Sequence, residues 1–309
     1  MKQPTATRMR WPDAQHWDLA TLLLLALTGW ALLLQPLQLP WGASRASLQP
    51  GTPQRMGLAQ YQASIQAQAV VGIDKNLSGL TYSAPTGTLF AVTNSPPAVA
   101  EISTKGQLLR LLPLHGIQDT EGIAHIQGDW FAIADERHNR IHWVQIGPHQ
   151  RDVQAQPQHM LPLDGSAIHN FALEGLGWDT RHQQLLAVQE KWPLRVLAVQ
   201  TPWANGTPQI PQSAVHEWPF DSPVGMPSTD AASIEADPRT GNMLLLGEES
   251  SVLYEYTPGG RLLGLMPLWA DMNGLDDYIP QPEGVALDAD GSLYIVSEPN
   301  LFYRFDKKS

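Results

Sequence analysis

The chain contains no cysteine, which excludes disulfides, thiolate nucleophiles, Cys-ligated zinc and Cys-ligated iron–sulfur clusters. Charge is scarce as well. Only 16% of the 309 residues are Asp, Glu, Lys or Arg, and 19 basic residues against 30 acidic ones give a formal charge of −11. A chain so poor in positive charge lacks the broad basic face that holds DNA or RNA, so no nucleic-acid partner is expected and a cation is. The sequence also lacks an HExxH pair, a GxSxG elbow and a GxxxxGK[ST] phosphate loop, the local signatures of zinc proteases, α/β-hydrolases and nucleotide binding. What it does have is 43% hydrophobic content, with 25 Gly and 26 Pro. That is enough apolar surface for a core, and the turn residues suit many short strands. The composition favours one large all-β domain over two or three ordinary ones.

One long apolar run stands near the N-terminus. Residues 1–18 carry Lys2, Arg8 and Arg10, and LATLLLLALTGWALLL from Leu19 to Leu34 has no charge. Extended to Trp41, the run reaches 23 residues, close to the roughly 20 that cross a bilayer, with Trp17 and Trp41 as interfacial anchors. The positive flank puts residues 1–18 in the cytoplasm, 19–41 across a bacterial inner membrane, and the rest in the periplasm. Gly42-Ala43-Ser44 offers a cleavage site for the alternative, a removed signal peptide. Asp13, Asp18 and the length of the run favour an uncleaved anchor, and both readings export the domain. Residues 42–57, rich in Ser, Pro, Gly and Gln, read as a linker, which places the folded domain at 58–309. Without the first 56 residues, 14 basic and 28 acidic side chains remain, a charge near −14.

The remaining chain repeats itself. LSGLTYSAPTGTLFAVTN from Leu77, TEGIAHIQGDWFAIADE from Thr120, LEGLGWDTRHQQLLAVQE from Leu173, ASIEADPRTGNMLLLGEE from Ala232 and PEGVALDADGSLYIVSE from Pro282 align with small gaps. Each holds an apolar alternation, a turn marked by Gly, Asp or Asn, and a second apolar run, the pattern of a β-hairpin. A third β-prone run follows every copy. A fourth follows the first four, always with proline next to last: Pro113, Pro162, Pro219 and Pro267. Proline has no N–H to give a central strand, so these mark outer edges. The fifth copy lacks its outer strand, and Tyr61–Val71 can supply it. The expected fold is a five-bladed β-propeller of four-stranded antiparallel blades closed by an N-terminal strand and preceded by one transmembrane helix. Thr201–Gln212, in the long third unit, reads as a Pro-rich loop rather than a sixth blade.

The repeats place acids in two rows. Before the repeat glycine stand Ser78, Glu121, Glu174, Ala232 and Glu283, and at the end of the second strand stand Asn94, Asp135 with Glu136, Glu190, Glu248 with Glu249, and Glu298. An antiparallel hairpin brings both rows to one end of the blade, around the channel mouth. Hard oxygen donors without thiolates suit Ca²⁺. The expected metal ligands are Glu121, Glu174, Glu283, Asp135, Glu190, Glu248 and Glu298, against the plainer reading that these acids cap backbone N–H groups or end strands in solvent. Asp288-Ala289-Asp290-Gly291 lacks the twelve-residue EF-hand spacing and reads as a β-turn. The histidines at 115, 125, 138, 142 and 169 form no recognisable catalytic set. The tryptophans, Trp130, Trp143, Trp178 and Trp269 among them, read as blade packing.

The segments NLSGLTY from Asn76, DTEGIAH from Asp119, FAIADER ending at Arg137, FALEGLGWD from Phe171 and IPQPEGVALDADGSLYIVSEPNLFYRF from Ile279 resemble the SdiA-regulated, YjiK-like family of exported bacterial proteins over about residues 60–306. The resemblance implies a five-bladed propeller with bound calcium and a distant similarity to NHL-repeat propellers that mediate protein contacts. Some relatives are described as calcium-regulated and phytase-like. Glu121, Glu174 and Glu283 match its acidic positions, while Ser78 and Ala232 depart from them. The expected function is a membrane-anchored periplasmic binding or scaffold module that takes a protein partner or a small anionic ligand at the channel mouth. The alternative is a calcium-dependent hydrolase of phosphate esters or lactones.

Overall fold

A computed structural model describes residues 54–163, 172–190, 193–209, 215–221 and 226–308. The expected cytoplasmic segment, membrane span and most of the linker lie outside the described residues. Among those described, no helix is long and apolar enough to cross a membrane.

The first strand, β1 (Tyr61–Ala69), precedes the repeats. Blade 1 holds β2 (Leu77–Ser83), β3 (Thr88–Asn94), β4 (Pro97–Ile102) and β5 (Leu108–His115). Blade 2 holds β6 (Thr120–Gln127), β7 (Trp130–Asp135), β8 (Arg140–Gln145) and, after the two-residue β9 (Val153–Gln154), β10 (Met160–Pro162). Blade 3 holds β11 (Leu173–Asp179), β12 (Gln184–Gln189) and β13 (Val196–Gln200), then a small hairpin of β14 (Trp203–Ala204) and β15 (Thr207–Pro208), then β16 (Val215–Glu217). Blade 4 is β17 (Ser233–Ala236), β18 (Met243–Gly247), β19 (Val252–Tyr256) and β20 (Leu262–Pro267). Blade 5 is β21 (Pro282–Leu287), β22 (Leu293–Ser297) and β23 (Leu301–Lys307), with β1 as its outer strand. The chain is an all-β, five-bladed propeller with mostly four-stranded antiparallel blades.

Burial follows from position in the ring. Middle strands such as β7 and β12 are buried along their whole length, because each blade is covered on both faces by its neighbours and alternation would expose nothing useful. Outer strands alternate instead, as in β5 and β1. The apolar side chains gather in five clusters, one per blade boundary: Phe90 meets Phe131 between blades 1 and 2, Trp143 joins Leu185 between 2 and 3, Leu186 joins Tyr254 between 3 and 4, Leu244 joins Phe305 between 4 and 5, and Leu80 joins Phe302 between 5 and 1. The last boundary makes the ring closed.

At the axis the innermost strands approach backbone to backbone. A Cβ on Gly175 would stand 2.6 Å from the Ala232 carbonyl oxygen, and one on Gly284 would stand 2.6 Å from the Gly79 carbonyl carbon. The repeat glycine is therefore required by close approach. Blade 4 departs from it with Ser233, whose hydroxyl accepts the Val285 N–H of blade 5 at 3.2 Å.

Four departures from the sequence expectation are local. Blade 1 gains a fifth strand, because β9 pairs in parallel with Leu114 and His115 of β5. Those residues lie just past Pro113, where the donor supply resumes. Pro162 and Pro267 end outer strands as expected, whereas Pro219 lies beyond β16. The loop expected at Thr201–Gln212 contains the β14–β15 hairpin, held over blade 2 by Trp130 Nε1 donating to Gly206 O at 3.1 Å. At the end of the expected linker, Met56 is buried, its N–H donating to Glu255 Oε1 at 2.6 Å, and Gln54 O accepts from Asn242 Nδ2 at 2.7 Å. The Asp288–Gly291 segment is the expected turn, closed by Gly291 N–H on Asp288 O at 3.1 Å.

Candidate metal centre at the channel mouth

The glutamates before the repeat glycine sit in β-bulges. Pairing jumps between Thr120 and Ile123 in β6, between Leu173 and Leu176 in β11, and between Pro282 and Gly284 in β21. A bulge leaves a residue out of the ladder and re-aims its side chain, here Glu121, Glu174 and Glu283. Blade 4, with Ala232 at this place, pairs from Ser233 to Ala236 without interruption. Blade 1 keeps the bulge, between Ser78 and Leu80, without the acid; the bulge goes with the repeat glycine, and three blades place a glutamate on it.

The second row is fixed by one recurring hydrogen bond. Glu136 N–H donates to Asp119 O, Glu190 N–H to Ala172 O, and Glu298 N–H to Gln281 O, at 3.0, 3.0 and 3.1 Å. Each acceptor lies two residues before the bulge glutamate. The register therefore makes Glu136, not Asp135, the partner of Glu190 and Glu298. In blade 4 the role passes to a side chain: Asp230 Oδ2 accepts the N–H groups of Glu248 and Glu249 at 2.7 and 3.0 Å.

Two carboxylate triads result. Asp119, Glu121 and Glu136 each offer an oxygen within 4.8 Å of the others, and so do Glu136, Glu174 and Glu190. Glu136 belongs to both. Asp119 takes a left-handed backbone with φ 55°, a conformation Asp tolerates better than most residues, and its Oδ2 accepts from Arg137 Nη2 at 3.2 Å. Across the blade 1 boundary, Asn94 Nδ2 donates to Glu121 Oε1 at 2.9 Å, and Asn76 Nδ2 donates to Asn94 Oδ1 at 2.6 Å.

Burial first, and then crowding, governs protonation. Burial, partly offset by the Asn94 hydrogen bond and reinforced by Glu136, pushes Glu121 up to about 7. Burial and then the charges of Glu248, Glu121 and Glu298 push Glu283 up to about 9. Glu174 is held well above the usual carboxylate range by burial and by Glu121, Glu283, Glu136 and Glu190. Glu248 is raised by burial and by Asp230. Carboxylates that press on one another without a cation retain protons.

Of the seven residues expected from sequence, Glu121, Glu174 and Glu190 enter the triads. Glu283, Glu248 and Glu298 stand near enough to act on one another's charge, outside the triads. Asp135 stands apart: it is buried, with Oδ2 3.0 Å from His138 Nδ1 and 3.6 Å from His142 Nε2. Burial raises its pKa, but the neighbouring His142 and His138 rings, the latter hydrogen-bonded to it, outweigh this and leave it below the ordinary value. Asp119 is the triad member that sequence reasoning missed, while Glu136 was named in the second row but not among the expected ligands. The signal for Asp119 was its place, two residues before the bulge glutamate, where blades 1 and 5 carry Asn76 and Gln281.

The donor set fits a hard cation. Carboxylate oxygens gathered within 4.8 Å of one another are the hard donors that Ca²⁺ takes in irregular geometry. A separate concavity of about 420 Å³ opens at the other ends of the strands, beside Asp179, His182 and Trp218. Its acid is a turn residue: Asp179 Oδ1 accepts the N–H of Arg181 at 2.9 Å, as Asp237 accepts that of Arg239 at 3.0 Å in blade 4.

The family model for SdiA-regulated proteins matches residues 53–306. The chain belongs to the SdiA-regulated family. Its likeness to solved structures is distant. A nidogen/laminin complex chain is 15% identical with a TM-score of 0.47, over 72% of this chain and 73% of that one. A streptogramin B lyase is 10% identical with a TM-score of 0.44, over 81% and 99%. A gluconolactonase from Xanthomonas campestris is 14% identical with a TM-score of 0.45, over 85% and 96%.

Proposed function

We propose that this SdiA-regulated protein is a membrane-anchored, periplasmic, calcium-binding propeller that acts as a binding or scaffold module. The observation that carries the reading is the pair of oxygen triads joined through Glu136, in which burial and the neighbouring acids raise the proton affinity of Glu121 and Glu174. A divalent cation would replace their protons and relieve the repulsion. The triads use Asp119, Glu121, Glu136, Glu174 and Glu190, with Glu283, Glu248 and Glu298 completing an acidic mouth that concentrates cations. The apolar run at 19–41 and its basic flank support the anchor and the orientation.

The test is calorimetry of Ca²⁺ into the EDTA-stripped full chain in nonionic detergent, with Mg²⁺ for comparison. Saturable, calcium-selective binding that Glu136→Gln and Glu174→Gln each weaken at least tenfold is expected. Absence of heat with Ca²⁺ would return the acids to structural caps.

A second reading, the calcium-dependent hydrolase, draws on one observation. Arg137 donates to Asp119 at the edge of the first triad, where a cationic group could hold an anionic substrate beside the ion. Turnover of a phosphomonoester, phytate or lactone that Arg137→Ala abolishes would favour it; no turnover above a Glu174→Ala control would remove it.

A further inference from the structure

The tryptophans read as blade packing are not all buried. Trp130, Trp143 and Trp178 are, but Trp269 is 48% exposed, and nearby Tyr278 is 56% exposed. Their pairing has a local cause. Ile279 N–H donates to Leu268 O at 2.9 Å, and both Leu268 and Ile279 are buried in the cluster between blades 4 and 5. Trp269 and Tyr278, next to this inward pair in the chain, are both turned to solvent at the two ends of one loop.

The aromatic pair is held in place. Trp269 Nε1 donates to Ser250 O at 3.0 Å, in the turn that follows Glu248 at the mouth. The loop between the rings is fastened to β1, with Ala63 N–H on Asn273 O at 2.8 Å, Gln66 Nε2 on Gly274 O at 2.9 Å and Asp276 N–H on Gln66 Oε1 at 2.8 Å. Leu275 is tucked into the core. Two exposed aromatic rings on a fixed loop lose little freedom when a partner arrives.

The charge along this loop and its flanking chain has one sign. Asp276 and Asp277 adjoin Tyr278, Asp271 lies in the same loop, and the exposed Glu249 adjoins Ser250. From Leu262 to Tyr303 the chain contains no Lys, Arg or His. Rigid aromatic faces ringed by carboxylates suit a cation on a flexible stem, above all arginine, which stacks on the ring while its N–H groups reach the acids. The same acids disfavour an anionic membrane surface.

We propose that the rim formed by Trp269 and Tyr278 is the docking surface for an arginine-bearing segment of a partner protein. This deepens the binding-module reading by placing the partner on the outer rim between blades 4 and 5, away from the carboxylate triads.

The test uses fluorescence anisotropy of a labelled twelve-residue peptide, four repeats of Gly-Ser-Arg, titrated with the full chain in nonionic detergent, once with Ca²⁺ and once with EDTA. A peptide with Glu in place of each Arg is the control. Binding of the Arg peptide alone, weakened at least tenfold by Trp269→Ala combined with Tyr278→Ala at unchanged Tm and calcium affinity, is the expected result. Trp269→Phe, which keeps a ring, should retain affinity within about threefold. Equal binding by the double variant would assign the affinity to the mouth acids and overturn the inference. So would failure to bind the Arg peptide, or Trp269-dependent binding to phosphatidylglycerol vesicles in its place. If calcium binding fails while the peptide still depends on both rings, the rim stands and the calcium reading falls.

Discussion

Asn94 of blade 1 donates its side-chain amide to Glu121 of blade 2, 2.9 Å away. It occupies the place where other blades carry an acid, and it is itself oriented by Asn76. One neutral donor thereby lowers the crowding at the first triad, and Glu121 settles near 7 rather than higher.

Replacing that donor should therefore move the proton. A hydrogen bond to a charged group contributes about 1.5–3 kcal/mol, and one pKa unit corresponds to about 1.4 kcal/mol. In Asn94→Leu, the Glu121 carboxyl should titrate about one unit higher in the metal-free protein, as followed by carbon-detected NMR of the glutamate side chains. An unchanged titration would show that Asn94 does not hold the charged form.

The same crowding sets a pH dependence. Glu121 and Glu283 bind protons more tightly in the folded chain, at about 7 and about 9, than the unfolded value of 4.5. The folded state therefore carries more protons in this window, so stability falls as pH rises. The contribution is fully present below about 4.5 and is lost as pH climbs through 7 and then 9. In EDTA, Tm should decline from pH 5 to pH 9. Added Ca²⁺ should raise Tm more at pH 8 than at pH 5, and its uptake should release more protons at pH 6 than at pH 9, read from the buffer dependence of the binding heat. A Tm that climbs with pH in EDTA would contradict the assignment.

Packing at the axis predicts a contrast between two small substitutions. Gly284→Ala would press a methyl group against the Gly79 and Leu80 backbone at 2.6–2.7 Å, in a ring where neither side has room to give. A loss of about 3 kcal/mol or more is expected, the upper part of the range for overpacked cores. Ser233→Ala removes only the acceptor for Val285 N–H and should cost about 1–2 kcal/mol. Urea unfolding midpoints distinguish the two, and similar values would mean that the inner strands are less rigid than drawn.

Glu255 anchors Met56 to blade 4. Its buried carboxylate accepts both Met56 N–H and Asn242 Nδ2 at 2.6 Å. Glu255→Leu strands two donors, each at about 1–3 kcal/mol, so residues 54–57 should detach. Limited proteolysis should then cut near Arg55 at least tenfold faster, and resistance equal to that of the unaltered chain would refute the anchor.

The five-blade ring was legible because each unit announces itself: a hairpin, a third strand and an edge proline recur, and the missing last edge pointed to Tyr61–Val71. Neither β9 nor the β14–β15 hairpin was legible, since two-residue strands carry no periodicity. At the mouth, the glutamate row was readable from the repeat glycine. In blade 2 both Asp135 and Glu136 end the strand and the expected ligand set took Asp135; the register, with Glu136 N–H on Asp119 O, puts Glu136 level with Glu190 and Glu298, which periodicity alone does not reveal. Trp269 escaped for a similar reason. Its outward direction is set by the inward pair Leu268 and Ile279, which join only after the loop between them has closed.

Because β1 pairs with β23, Ser64 bonds to Asp306 across 242 positions of chain. The first strand to emerge from the ribosome is thus the last to find its partner. Until residues 301–307 arrive, β1 and β22 both present open edges, and blades 4 and 1 each lack a neighbour. A chain interrupted before Leu301 ends as an open arc with sticky ends instead of a smaller propeller. The fold works as a check on completeness: only a polypeptide that reaches residues 301–307 can hide its own edges.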